Sequence, residues 1–118
     1  MRRSEEVRNV LLEAADKIER LGWWQVNIDW QVGIDIDTHN GGYCALTAIS
    51  VVTTYTTFER AQKRLAQYLR LRQGTSIPRW NDAPGRTKEE VITALRNAAL
   101  PRNQWRVARR QAQLILAA

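Results

Sequence analysis

The chain has 118 residues, 44% of them hydrophobic and 25% charged, and a net charge of +6. That balance describes one folded domain and excludes a disordered chain. No apolar run approaches the roughly 18 residues of a bilayer span, so no membrane association is expected. One cysteine, Cys44, and one histidine, His39, exclude an intrachain disulfide framework and a four-thiolate zinc site. No cofactor and no metal is expected. The N-terminus, MRRSEEVRNV, turns acidic and helical at once and lacks the apolar stretch of a signal peptide. A soluble, cytoplasmic protein is the expectation.

The positive charge is unevenly spread. Residues 23–57 hold Asp29, Asp35 and Asp37 and no lysine or arginine. Residues 58–79 hold six basic groups against Glu59, and residues 101–118 hold Arg102, Arg106, Arg109 and Arg110 with no acid. This balance permits an anionic partner through long-range attraction without establishing one.

A first helix is predicted from Ser4 as N-cap, with Glu5 and Glu6 in its first turn, where the helix dipole favours anions. Val7, Leu11, Ala14, Ala15 and Ile18 form its apolar face, and Gly22 is the stop. The period then changes. Trp24, Val26, Ile28, Trp30, Val32, Ile34 and Ile36 alternate with polar residues or glycine, which predicts extended chain with one buried face. Its length predicts a β-hairpin with a turn near Trp30–Gly33. A polar loop, THNGG, follows at 38–42.

The run YCALTAISVV reads as a buried helix. Its β-branched residues Ile49, Val51, Val52, Thr53 and Thr54 make a strand the competing reading. Thr56 and Glu59 have the spacing of a capping box for a helix reaching about Arg72, with Phe58, Ala61, Leu65, Tyr68 and Leu69 inward and Gly74 as its stop. A loop over 74–86 leads to a helix over 88–100 that buries Val91, Ala94, Leu95 and Ala98. Pro101 breaks that helix or begins another. Residues 102–116 form the last helix, with Trp105, Ala108, Ala112 and Ile115 on one side. The expected class is mainly α (α+β): a compact bundle of about five helices with a β-hairpin inserted after the first, in one domain over 1–118.

The stretch RWNDAPGRTKEEV reads as architecture. Pro84–Gly85 suits the centre of a type II turn. Thr87 and Glu90 form a capping box. Asn81 and Asp82 are placed to bond nearby backbone N–H groups, and Trp80 to pin the loop to the core.

Three motifs stand together. They are GW-x-Q at Gly22, Trp23, Trp24 and Gln25; C-x-x-x-A-I at Cys44, Ala48 and Ile49; and I-x-x-WND-x-P-G-R-T-x-x-E-V from Ile77 to Val91. The pattern resembles a family of small actinobacterial and actinobacteriophage proteins classed only as a domain of unknown function. The likeness covers roughly 5–30 and 43–100. Thr47 departs from it, standing where family members usually have Gly, and 101–118 looks like an added basic C-terminal helix on a family-like core of 1–100. The resemblance implies a compact domain and a phage or bacterial source, and supplies no activity.

Three functional readings follow, in order. The first is non-catalytic binding through protein contact, by self-association or to a host or bacterial partner, across the hairpin edge and Trp23, Trp24 and Trp30. Consecutive Trp23 and Trp24 cannot both point inward on extended chain, so one is expected to be an exposed aromatic, a residue type favoured in interfaces. The second is nucleic-acid binding by the helices over 58–72 and 102–116. Arg60 and Arg64 lie on one, and Arg102, Arg106, Arg109 and Arg110 fall at i, i+4, i+7 and i+8 on the other, a stripe able to track phosphates. The third is a cysteine-dependent enzyme, with Cys44 as nucleophile, His39 as base and Asp35, Asp37 or Asp82 orienting it. Asp35, Asp37 and His39 also alternate on one strand face, but the EF-hand pattern fails at Asn40 and Leu46. No small-molecule substrate is indicated.

Overall fold

The computed structural model describes residues 3–29, 34–37, 43–72 and 76–117, with side chains over 3–25, 43–72 and 76–115. Six helices carry it: α1 (Arg3–Leu21), α2 (Ala45–Val51), α3 (Tyr55–Leu69), α4 (Ile77–Asn81), α5 (Lys88–Ala98) and α6 (Trp105–Ala117). A 3-10 turn, Arg102–Gln104, leads into α6, with Pro101 as its N-cap. No described helix is long and apolar enough to cross a membrane.

Helix α1 runs through the middle and packs on α5, α2 and α3. Its buried residues are Val7, Val10, Leu11, Ala14, Ala15 and Ile18, the three-and-four spacing of one helix face. The small side chains of Ala14 and Ala15 are matched by Ala45, Ala48, Ala61, Ala94 and Ala98, all buried. Larger groups fill the space between them, with Leu11, Ile18, Ile49, Leu65, Ile77, Val91 and Leu95 essentially inaccessible to water. Each such side chain contributes about 1.5–3 kcal/mol of burial.

The expected class is corrected. Among the described residues the architecture is mainly α, and a β-hairpin is not one of its packed layers. Every fully buried hydrophobic residue among those described lies on a helix or at a helix end. Among the described residues between α1 and α2, Val26–Asp29 pairs antiparallel with Ile34–Asp37, in the register Val26 opposite Asp37. An isolated two-stranded ribbon this short is marginal and cannot act as a layer. The turn near Trp30–Gly33 and the loop over 38–42 lie outside the described residues, as do the side chains of Asp35 and Asp37.

The base of this insertion is clipped shut. Tyr43 N donates to Gly22 O at 2.9 Å and Trp24 N to Tyr43 O at 3.1 Å. Gly22 takes φ +103°, as a left-handed helix stop requires.

Other boundaries also moved. Helix α1 begins at Arg3, so Ser4 lies inside it. Helix α3 begins before the proposed Thr56 cap: Thr54 is its N-cap, and Glu59 accepts instead from the Tyr55 hydroxyl at 2.9 Å. The helix ends at Arg70, in the left-handed region at φ 54°, ψ 43°. Leu71 N bonds Ala66 O and Arg70 N bonds Gln67 O, both at 3.1 Å, the paired bonds of a Schellman stop in which glycine is usual. The expected stop, Gly74, lies outside the described residues. Helix α4 occupies part of the expected loop. Ser76 caps it by accepting from Arg79 N, and Pro78 stands in its first turn.

Candidate functional site

The WND–PGRT stretch meets the GW-x-Q stretch, and Asn81 joins them. Asn81 is 0% exposed. Its Oδ1 accepts from Trp23 Nε1 at 2.8 Å and from Ala45 N at 3.0 Å. Its Nδ2 donates to Trp24 O at 3.0 Å and to Asp82 Oδ1 at 2.9 Å. Two donor protons and two acceptor lone pairs are the whole capacity of an amide, and all are used. Gln25 Nε2 adds bonds to Asn81 O and Ala83 O, both at 3.0 Å. One buried side chain therefore ties the end of α1, the start of α2 and the end of α4. Asn81 bonds well beyond its own loop, a span that sequence reasoning did not reach.

The rest of the stretch forms the entry to α5. Arg86 N donates to Ala83 O at 3.1 Å, and Gly85 has φ +83°, the type II turn expected around Pro84–Gly85. Thr87 Oγ1 accepts from Glu90 N at 3.1 Å. Arg86 lies 4.3 Å from the Trp80 ring centre, donates to Trp80 O at 3.0 Å and pairs with Glu90 at 2.7 Å. Trp80 is thus held by its own chain.

Trp23 and Trp24 are both half-buried, and the Trp23 indole is spent on Asn81. Neither presents a fully exposed ring. Trp30 lies outside the described residues.

Cys44 is the N-cap of α2. Its sulfur accepts from Thr47 N at 3.4 Å and contacts Thr47 Oγ1 at 3.0 Å, the place a serine or threonine hydroxyl usually takes. The partner base proposed for it, His39, lies outside the described residues. No metal-binding cluster of His, Cys, Asp or Glu occurs among the described residues. Cys44→Ser should keep the cap and leave stability within about 1 kcal/mol of wild type in urea unfolding. A larger loss would mean that the sulfur does more than cap.

The arginines divide between two environments. Arg64 is 9% exposed; its Nε donates to Ala98 O and its Nη2 to Leu100 O, each at 2.6 Å. Arg8 Nε donates to Ala99 O at 2.6 Å. Two guanidiniums therefore cap the C-terminal carbonyls of α5, where orphan acceptors and the helix dipole favour cations. Burial, then the neighbouring charges of Arg102 and Arg8, lower the Arg64 pKa from its usual value.

Trp105 is buried beside them, with Arg64, Arg102 and Arg109 at 5.1, 4.7 and 5.6 Å from its ring centre. Its indole donates to Leu100 O at 3.1 Å, and the Tyr68 ring meets it edge-on at 5.7 Å. Arg102 also donates to Gln67 Oε1 at 2.8 Å, and Arg109 to Tyr68 O at 2.7 Å. The stripe read from sequence is split. Arg64, Arg102 and Arg109 serve the protein's own carbonyls and rings, while Arg106 and Arg110 face water and Arg60 is half-buried.

Helix α6 shows its other face to solvent. Trp105 and Ala108 are buried, but Val107 is 59%, Leu114 67% and Ile115 72% exposed. At 100° per residue Val107 and Leu114 lie opposite Trp105, with Ile115 on one flank and Arg106 and Arg110 on the other. Ile115 was expected inward with Ala112. Its helical phase fits that expectation, but none of the described core reaches this end of α6 to cover it.

Residues 2–100 match a family described as a family of unknown function, DUF6197. No curated protein and no solved structure matches.

Proposed function

Because the chain belongs to DUF6197, a family of unknown function, its role has to be argued from its own surface, and we propose that it is a non-catalytic binding protein acting through protein contact. The observation that carries this reading is the outer face of α6, where Val107 and Leu114 stand exposed two turns apart, with Ile115 exposed on one flank. Grouped exposed apolar side chains mark interaction surfaces more often than scattered ones do. Arg106 and Arg110 border the group, and α6 carries no acid. A second copy pairing through α6 brings arginine against arginine, so the reading commits to a protein partner with carboxylates around an apolar stripe. Trp23 and Trp24, half-buried, are less available for this role. The phage or bacterial source implied by the motifs and a cytoplasmic location are parts of the same proposal.

The test is capture from cell extract with wild type and with Val107→Ser combined with Leu114→Ser. Both side chains are exposed, so the melting temperature should not move. A discrete acidic partner should be retained by wild type, lost by the variant and weakened by salt. Equal retention by both chains contradicts the assignment to α6. A concentration-dependent dimer in light scattering would replace the acidic partner with self-association. Nucleic-acid binding, the alternative reading, has Arg60, Arg106 and Arg110 left to work with on the outer surface, since Arg64, Arg102 and Arg109 lean on oxygens of the protein itself rather than standing out from it. It predicts steep salt dependence that Arg106→Glu with Arg110→Glu abolishes.

A further inference from the structure

A cleft of about 640 Å³ opens between the end of α3, α4, α5 and the middle of α6. Its size falls within the roughly 300–1,000 Å³ of small-molecule sites. Three guanidiniums line it, those of Arg70, Arg86 and Arg109, against one carboxylate, Glu90. Glu90 is already held by Arg86 at 2.7 Å. Among the described residues neither Arg70 nor Arg109 forms a salt bridge, so the cleft holds two uncompensated cations.

Arg109 is held by carbonyls at the end of α3, and Arg70 stands exposed at the same helix end. Arg109 Nε donates to Tyr68 O at 2.7 Å and its Nη2 to Gln67 O at 3.4 Å, which fixes the plane of the guanidinium against the Tyr68 and Trp105 rings. Arg70 occupies the left-handed stop of α3 at φ 54°, where a side chain costs what glycine avoids. Such strain gathers at ligand sites, where surrounding structure sustains it. Burial lowers the Arg109 pKa, and the like charge of Arg70 lowers it further. An anion at the mouth of the cleft would offset that repulsion on Arg109.

We propose that this cleft binds a small phosphate monoester, its dianionic head between Arg70 and Arg109 and its apolar body against Leu69, Ala94 and Ala112. Guanidiniums present N–H groups in the fork geometry that phosphate oxygens accept. The proposal is independent of any protein contact on the outer face of α6.

The experiment is calorimetric titration of the full chain with phenyl phosphate at low ionic strength, with phenol as the uncharged control. Wild type should bind phenyl phosphate and not phenol. Arg70→Gly should weaken binding about tenfold or more, while the melting temperature holds or rises because glycine suits the left-handed stop. Arg70→Asn, which tolerates the same backbone, should show the same loss of binding. Arg106→Gln removes one charge outside the cleft and should leave affinity unchanged. No binding by wild type, equal binding of phenol, or equal losses in the Arg70 and Arg106 variants would overturn the proposal.

Discussion

Asn81→Leu is expected to destabilise the protein by about 3–5 kcal/mol. Leucine has the same branched four-atom skeleton as asparagine and is somewhat larger, so no cavity is left and none of this comes from one. The loss comes from hydrogen bonding: the Trp23 indole N–H and the Ala45 N–H lose their shared acceptor, and Trp24 O loses a donor. A buried polar group deprived of its partner costs roughly 1–3 kcal/mol each. Asn81→Asp should be nearly as damaging for a different reason. It retains an acceptor, replaces the two N–H donors with at most one O–H, and puts a second carboxyl beside Asp82 in a site sealed from water. Burial and the like charge favour the neutral acid there, so its folded-state pKa lies above the unfolded one. Stability of that variant should therefore fall as pH rises through the unfolded pKa towards the folded one. Urea unfolding at two pH values measures both effects. A loss below about 1 kcal/mol for Asn81→Leu would mean that the amide is not the clasp described.

The second large effect is expected at Arg64. Arg64→Met retains an aliphatic stem of similar length and removes the charged fork. Ala98 O loses its Arg64 donor, Leu100 O is left with the Trp105 indole alone, the α5 C-terminus loses a cation, and Trp105 loses one of its three guanidiniums. The expected cost is about 2–4 kcal/mol. Arg64→Lys should recover less than half, because a single ammonium cannot serve two carbonyls in fixed fork geometry. Chemical denaturation of the three chains decides it. A lysine variant as stable as wild type would show that charge alone suffices there.

Local signals in the sequence were followed closely by the fold. The apolar faces of α1 and α5 carry a clear helical period, and the Pro84–Gly85 turn and Thr87 cap depend on neighbouring residues alone. Long-range effects were not legible. Nothing local marks Arg70 as a helix stop, since the residue type expected there is glycine. Alternation over 24–36 has the period of a strand, but period alone does not supply the third strand or packed face that turns a ribbon into a layer. The arginine contacts were out of reach for the same reason: Arg64 and Arg109 look solvated until the carbonyls of α5 and α3 arrive beneath them. The Asn81 clasp spans residues 23 to 81, beyond the range of any sequence window, although both motifs it joins were visible separately.

The outer face of α6 is the proposed contact surface of this protein. Photocrosslinking tests it most directly. A photoreactive amino acid is placed singly at Val107, Leu114, Leu21 or Tyr55, all exposed apolar positions, and each chain is irradiated in cell extract. The account predicts one adduct of discrete mass from Val107 and from Leu114, and none from Leu21 or Tyr55. Adducts from Leu21 or Tyr55 but not from α6, or the same ladder from all four, would contradict it.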